Sequence, residues 1–99
     1  MRNDSGEAVA ARLKLLRELI SGESQMAFAK RLGVSYARWN NFERGLPLSK
    51  EVAFTIVRSF PDITLDWLYL GKTEGLTQRR ARELEELAKK TAPAKGAGR

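Results

Sequence analysis

The chain contains no cysteine and no histidine. The first absence removes disulfides and thiolate metal sites. The second removes the commonest metal ligand and the commonest general base. Acidic residues are scattered across the predicted helix faces rather than set in converging pairs, so neither a catalytic site nor a metal or cofactor is expected, and no small-molecule ligand is evident. No apolar run approaches the roughly 20 residues that a bilayer-crossing helix needs. The opening Met1-Arg2-Asn3-Asp4-Ser5-Gly6-Glu7 has none of the apolar core of a secretory signal, so the expected location is cytoplasmic. Strand-like alternation is missing throughout, which leaves an all-α fold.

What is there is a chain of 99 residues, the size of one domain with tails. Its net charge is +6 and its isoelectric point about 10.1. A polyanionic partner fits that balance, because each Lys or Arg set on a phosphate releases condensed counterions. Residues 1–72 carry 11 basic and 8 acidic groups, and residues 73–99 carry 7 and 4, so the shorter segment is the more densely charged.

Apolar spacing and turn residues divide the middle of the chain into five short helices. Val9, Leu13, Leu16 and Ile20 form one stripe on a helix over about 7–19, which Gly22 ends. Ser24 caps a second helix whose inner face is Met26, Phe28, Ala29 and Leu32, and Gly33 terminates it. Ser35 caps a third, over about 35–44, with Trp39 and Phe42 inward and Gly45 at its end. Only Gly33, Val34 and Ser35 separate the second and third helices, and so short a turn makes two brief helices cross steeply. Ser49 caps a fourth helix with Val52, Ala53, Ile56, Val57 and Phe60 inside, stopped by Pro61. Thr64 caps a fifth through Leu65, Trp67, Leu68 and Leu70, closed by Gly71.

The organisation expected from this pattern is a flexible N-terminus over 1–6, a domain over 7–72, a C-terminal segment over 73–90 and a disordered basic tail over 91–99. The segment from Leu76 to Lys90 has strong helix formers but only Ala81, Leu84, Leu87 and Ala88 as core candidates. It is either a sixth helix, able to pair with a second subunit or lie along DNA, or a frayed solvated one.

The run Ser24-Gln25-Met26-Ala27-Phe28-Ala29-Lys30-Arg31-Leu32-Gly33-Val34-Ser35, followed by Trp39, Phe42 and Glu43-Arg44-Gly45, resembles the Cro and repressor type of helix-turn-helix, the XRE family. Leu65-Asp66-Trp67-Leu68 and Gly71 resemble the last helix of many phage-related members. The resemblance covers about residues 8–71. It implies a five-helix, lambda-repressor-like DNA-binding domain, usually a repressor of transcription, whose third helix enters the major groove of double-stranded DNA.

Carried over by position, Tyr36, Ala37, Arg38 and Asn41 form the base-reading set, and Phe28, Ala29, Leu32, Gly33, Trp39 and Phe42 the structural core of the motif. Ser24, Gln25, Ser35, Arg44 and Lys50 fall where backbone phosphates are held. Arg grips the O6 and N7 of guanine and Asn pairs with adenine, which suits Arg38 and Asn41 to reading sequence, although any solvated helix face also carries such residues. Members of the family often pair an Arg late in the first helix with the Glu of the Glu-x-Gly signature, and Arg17 and Glu43 are the candidates here, with Arg17 one residue farther from Gln25 than the pattern expects. Trp39 replaces the more usual β-branched aliphatic, and Phe60-Pro61-Asp62 a commoner Leu-Gly pattern. A homodimer on symmetric DNA is expected, with Tyr69 and Leu70 as interface candidates. The contrasting expectation is a protein-interaction module, such as an antitoxin, that keeps the same fold.

Overall fold

Four hydroxyl side chains set where the central helices begin. At Ser24, Ser35, Ser49 and Thr64 the backbone is extended, and the side-chain oxygen accepts the N–H of Ala27, Arg38, Val52 and Trp67 respectively. Each bond satisfies one of the donors that a helix start leaves unpaired. The computed structural model describes residues 4–20 and 22–91. In it α1 (Asp4–Ile20), α2 (Gln25–Leu32), α3 (Tyr36–Glu43), α4 (Lys50–Ser59), α5 (Leu65–Leu70) and α6 (Gln78–Thr91) follow one another, with no strand among the described residues. The protein is all-helical.

Three residues join α2 to α3, and Gly33 makes that turn possible. Its φ of 77° lies in the left-handed region, and its N–H returns to the carbonyls of Ala29 and Lys30. A side chain there would strain the backbone. Two eight-residue helices are too short to persist alone, so packing has to hold them. Phe28 supplies much of it. Fully buried, its ring lies 5.2 Å from that of Trp39 and stacks on Phe60 at 6.1 Å. Leu13 and Leu16 of α1, Ile56 of α4 and Leu68 of α5 close the same core.

Helix α1 runs beneath this unit and begins at Asp4, so residues 4–6 are helical rather than part of a flexible N-terminus. Residues 1–3 lie outside the described residues. A Cβ at Gly6 would stand 2.7 Å from the Gly45 carbonyl oxygen, so the first turn of α1 lies directly against the loop that closes α3. Arg12 of α1 donates to the carbonyls of Leu68 and Tyr69, at 3.1 and 3.2 Å, which satisfies acceptors at the end of α5.

One expectation about α2 needs correction. Met26 is not part of the inner face of α2, since it is 63% exposed. At about 100° per residue it falls some 200° from Phe28, on the opposite side of the helix. Of the two readings left open for the segment from Leu76 to Lys90, the sixth helix is the one that forms: α6 packs on α1, and its core candidate Leu84 is only 4% exposed within the common cluster. Arg80 fastens the start of α6 by pairing with Asp62 at 2.6 Å and Glu83 at 2.9 Å. Of the expected disordered tail, Thr91 ends α6 and residues 92–99 lie outside the described residues.

Candidate nucleic-acid interface

Helix α3 has two contrasting sides. Trp39 and Phe42, three residues apart, are buried, with their rings edge to face at 6.3 Å. Tyr36, Ala37 and Arg38 are exposed in the first turn, and Asn41 is half-buried. Arg38 and Asn41 are also three apart, so they lie next to each other on one face. Arg38 does not hang free. Its guanidinium sits 5.7 Å from the centre of the Phe42 ring and donates to Ser49 Oγ at 3.3 Å. Asn40, half-buried beside Asn41, is a further polar group on this helix that the sequence reading passed over.

The candidate phosphate ligands fall into two groups. Arg44, at the end of α3, and Lys50, at the start of α4, are exposed cations. Ser24 and Ser35 are caps whose oxygens accept backbone N–H groups at 3.1 Å, which leaves each hydroxyl proton available to donate. Gln25 is engaged inside the protein, its Nε2 donating to Glu43 Oε1 at 2.9 Å.

Glu43 is the electrostatic centre of the α1–α2–α3 junction. Arg17 Nε donates to its Oε2 at 2.8 Å and Arg17 Nη2 to its Oε1 at 3.1 Å, a two-pronged pair across 26 residues of sequence. The Trp39 indole N–H adds a bond of 2.6 Å to Oε2. Arg17 also donates to the Glu23 carbonyl at 2.7 Å, tying the loop before α2 to the same cation. The side chains of Arg17 and Glu43 are 13% and 4% exposed. Burial pushes the Glu43 carboxyl up, but hydrogen bonds from Arg17, Gln25 and Trp39, with the charge of Arg17, outweigh it and hold the group below the usual glutamate value. The Arg17 guanidinium is held above its ordinary value, first by its hydrogen bond to Glu43, against the opposing effect of its own burial.

This arrangement has a consequence for the outer surface. Residues 24–44 carry four cations, Lys30, Arg31, Arg38 and Arg44, and one carboxylate, Glu43. The carboxylate is buried and already paired, so the exposed charge of α2 and α3 is positive. Glu23, just before α2, partly offsets it by pairing with Arg31 at 2.9 Å, an exposed contact of the kind that contributes little to stability. No helix among the described residues is long and apolar enough to cross a membrane. The chain matches no model of a known protein family, no curated protein and no solved structure.

Proposed function

We propose that this protein is a sequence-specific regulator that binds double-stranded DNA as a homodimer and reads the major groove with α3, acting as a repressor. The observation that carries the reading is the two-sided construction of α3: an inner face locked by Trp39, Phe42 and Glu43, and an outer face presenting Tyr36, Ala37, Arg38 and Asn41. A rigid helix with an arginine and an asparagine side by side has the donors and acceptors to distinguish guanine and adenine edges. The positive surface of α2 and α3 favours a phosphate backbone, with Arg44 and Lys50 as positioning contacts. The resemblance of residues 24–45 to the Cro and repressor class supports the same assignment. A module this small spans few base pairs, and pairing two on a symmetric site supplies the affinity one lacks.

Fluorescence anisotropy on a selected duplex and on an unrelated one tests the assignment. Arg38→Ala and Asn41→Ala should each cost about 1–3 kcal/mol on the selected site and leave binding to unrelated DNA nearly unchanged. Equal losses on both duplexes would show that these residues serve only to attract the backbone. Retention of full discrimination by both variants would move the reading surface away from α3.

A further inference from the structure

Gln25 stands in the first turn of α2, where the resemblance places a phosphate ligand, yet its amide faces inward. Nε2 donates to Glu43 Oε1 at 2.9 Å, on the carboxylate that also accepts from Arg17 and Trp39. Four donated hydrogen bonds thus converge on one buried carboxylate, from side chains of α1, α2 and α3. Trp39 and Glu43 belong to α3 itself and lie one turn apart, so their bond stiffens that helix. Gln25 and Arg17 come from outside it and set how α3 is turned and seated.

We infer that Gln25 is a positioning residue for sequence discrimination: through Glu43 it fixes the orientation of α3 rather than contributing chiefly a phosphate contact. The inference rests on the proposed role of α3 in reading DNA. The Arg17–Glu43 pair ties α3 to α1 alone. Gln25 adds a second outside anchor, from α2, since its amide and the guanidinium of Arg17 both reach Oε1 from different helices. Pre-organised side chains lose less on binding, and an error in helix orientation moves Arg38 and Asn41 off their base edges while leaving the net positive charge unchanged.

The two roles differ in what they do to the ratio of affinities. Losing a backbone contact weakens binding to every sequence by the same factor, whereas loosening α3 weakens the selected site selectively. The test compares wild type, Gln25→Met and Gln25→Lys on the selected duplex and an unrelated one. Methionine keeps the volume but has no donor. Lysine retains a donor for Glu43. With Gln25→Met the ratio of selected to unrelated affinity is expected to fall about fivefold or more, with unrelated binding unchanged. Gln25→Lys is expected to restore the ratio to within about twofold of wild type, whatever its added charge does to absolute affinity.

Equal weakening on both duplexes by Gln25→Met would overturn the inference in favour of a plain phosphate ligand. An unchanged ratio accompanied only by a lower melting temperature would overturn it in favour of a purely structural bond. Failure of the wild type itself to discriminate between the duplexes would instead strike the proposed function, and the inference with it. Trp39→Phe, which keeps an aromatic ring but deletes the indole donor to Glu43, provides a second probe. It is expected to lower the ratio in the same direction, and an unchanged ratio there would count against Glu43 as the device that seats α3.

Discussion

Arg17→Met is expected to destabilise the protein by about 3 kcal/mol at neutral pH, the lower end of the cost of leaving a buried charge without its counter-ion. The carboxylate it abandons is 4% exposed, and methionine fills the same space without a charge. Gln25 and Trp39 continue to donate to Glu43, which is why the loss falls at the lower end. A domain of this size has roughly 5–15 kcal/mol of stability in total, so the change is large.

The pH dependence identifies the cause. In the wild type Glu43 titrates below the ordinary glutamate value, so its contribution is fully present above that ordinary value and is lost as the pH falls through the lower folded one. In Arg17→Met the guanidinium no longer opposes burial, and the folded pKa moves upward. The stability difference between the two proteins should therefore be greatest near neutrality and shrink on acidification. Urea titrations across that range would measure it, and a difference independent of pH would show that Arg17 acts by packing alone.

Phe28→Ala should cost about 3–5 kcal/mol. The ring is fully buried and lies between Trp39 of α3 and Phe60 at the end of α4, so its removal opens a cavity where three segments meet. Collapse around that cavity is opposed from two sides. Trp39 is tethered by its indole N–H to Glu43, and α2 is held at both ends, by the Ser24 cap and by the Gly33 turn. The expected result is a marginally folded protein in which α3 loses its backing before helix content is lost. Urea unfolding followed by circular dichroism measures the stability change. A loss below about 1 kcal/mol would mean that the core repacks freely and that Phe28 does not organise α3.

How much of this was legible in the sequence follows from the range of each interaction. The caps at Ser24, Ser35, Ser49 and Thr64 and the left-handed Gly33 act over three or four residues, and each can be read from its neighbours. The inner pair of α3, Trp39 and Phe42, is equally local. Met26 misled because apolar character on a two-turn helix says little about direction, and only its angular offset from Phe28 reveals that it points outward.

The docking of α6 was hidden for a different reason. Its apolar stripe is thin, and what seats it is Leu84 against α1 with Arg80 reaching Asp62 across 18 residues of sequence. Glu43 is the clearest case. Family resemblance alone suggests its pairing with Arg17, and the spacing of Trp39 from Phe42 assigns the indole only to the core. The four-residue spacing of Trp39 and Glu43 was the available signal that the indole donor would meet the carboxylate on one helix face. Nothing local indicated that Gln25 would turn inward, since that depends on how α2 and α3 cross.

The central claim, that α3 reads sequence in double-stranded DNA, is tested most directly by selecting bound fragments from a random duplex pool and measuring the recovered site at two salt concentrations. The account predicts a short symmetric motif, bound by two copies of the chain, whose preference over unrelated DNA persists as salt rises although absolute affinity falls. Recovery of no motif, with binding that collapses alike for every duplex as salt is added, would contradict it and leave a basic helical domain that attracts nucleic acid without reading it.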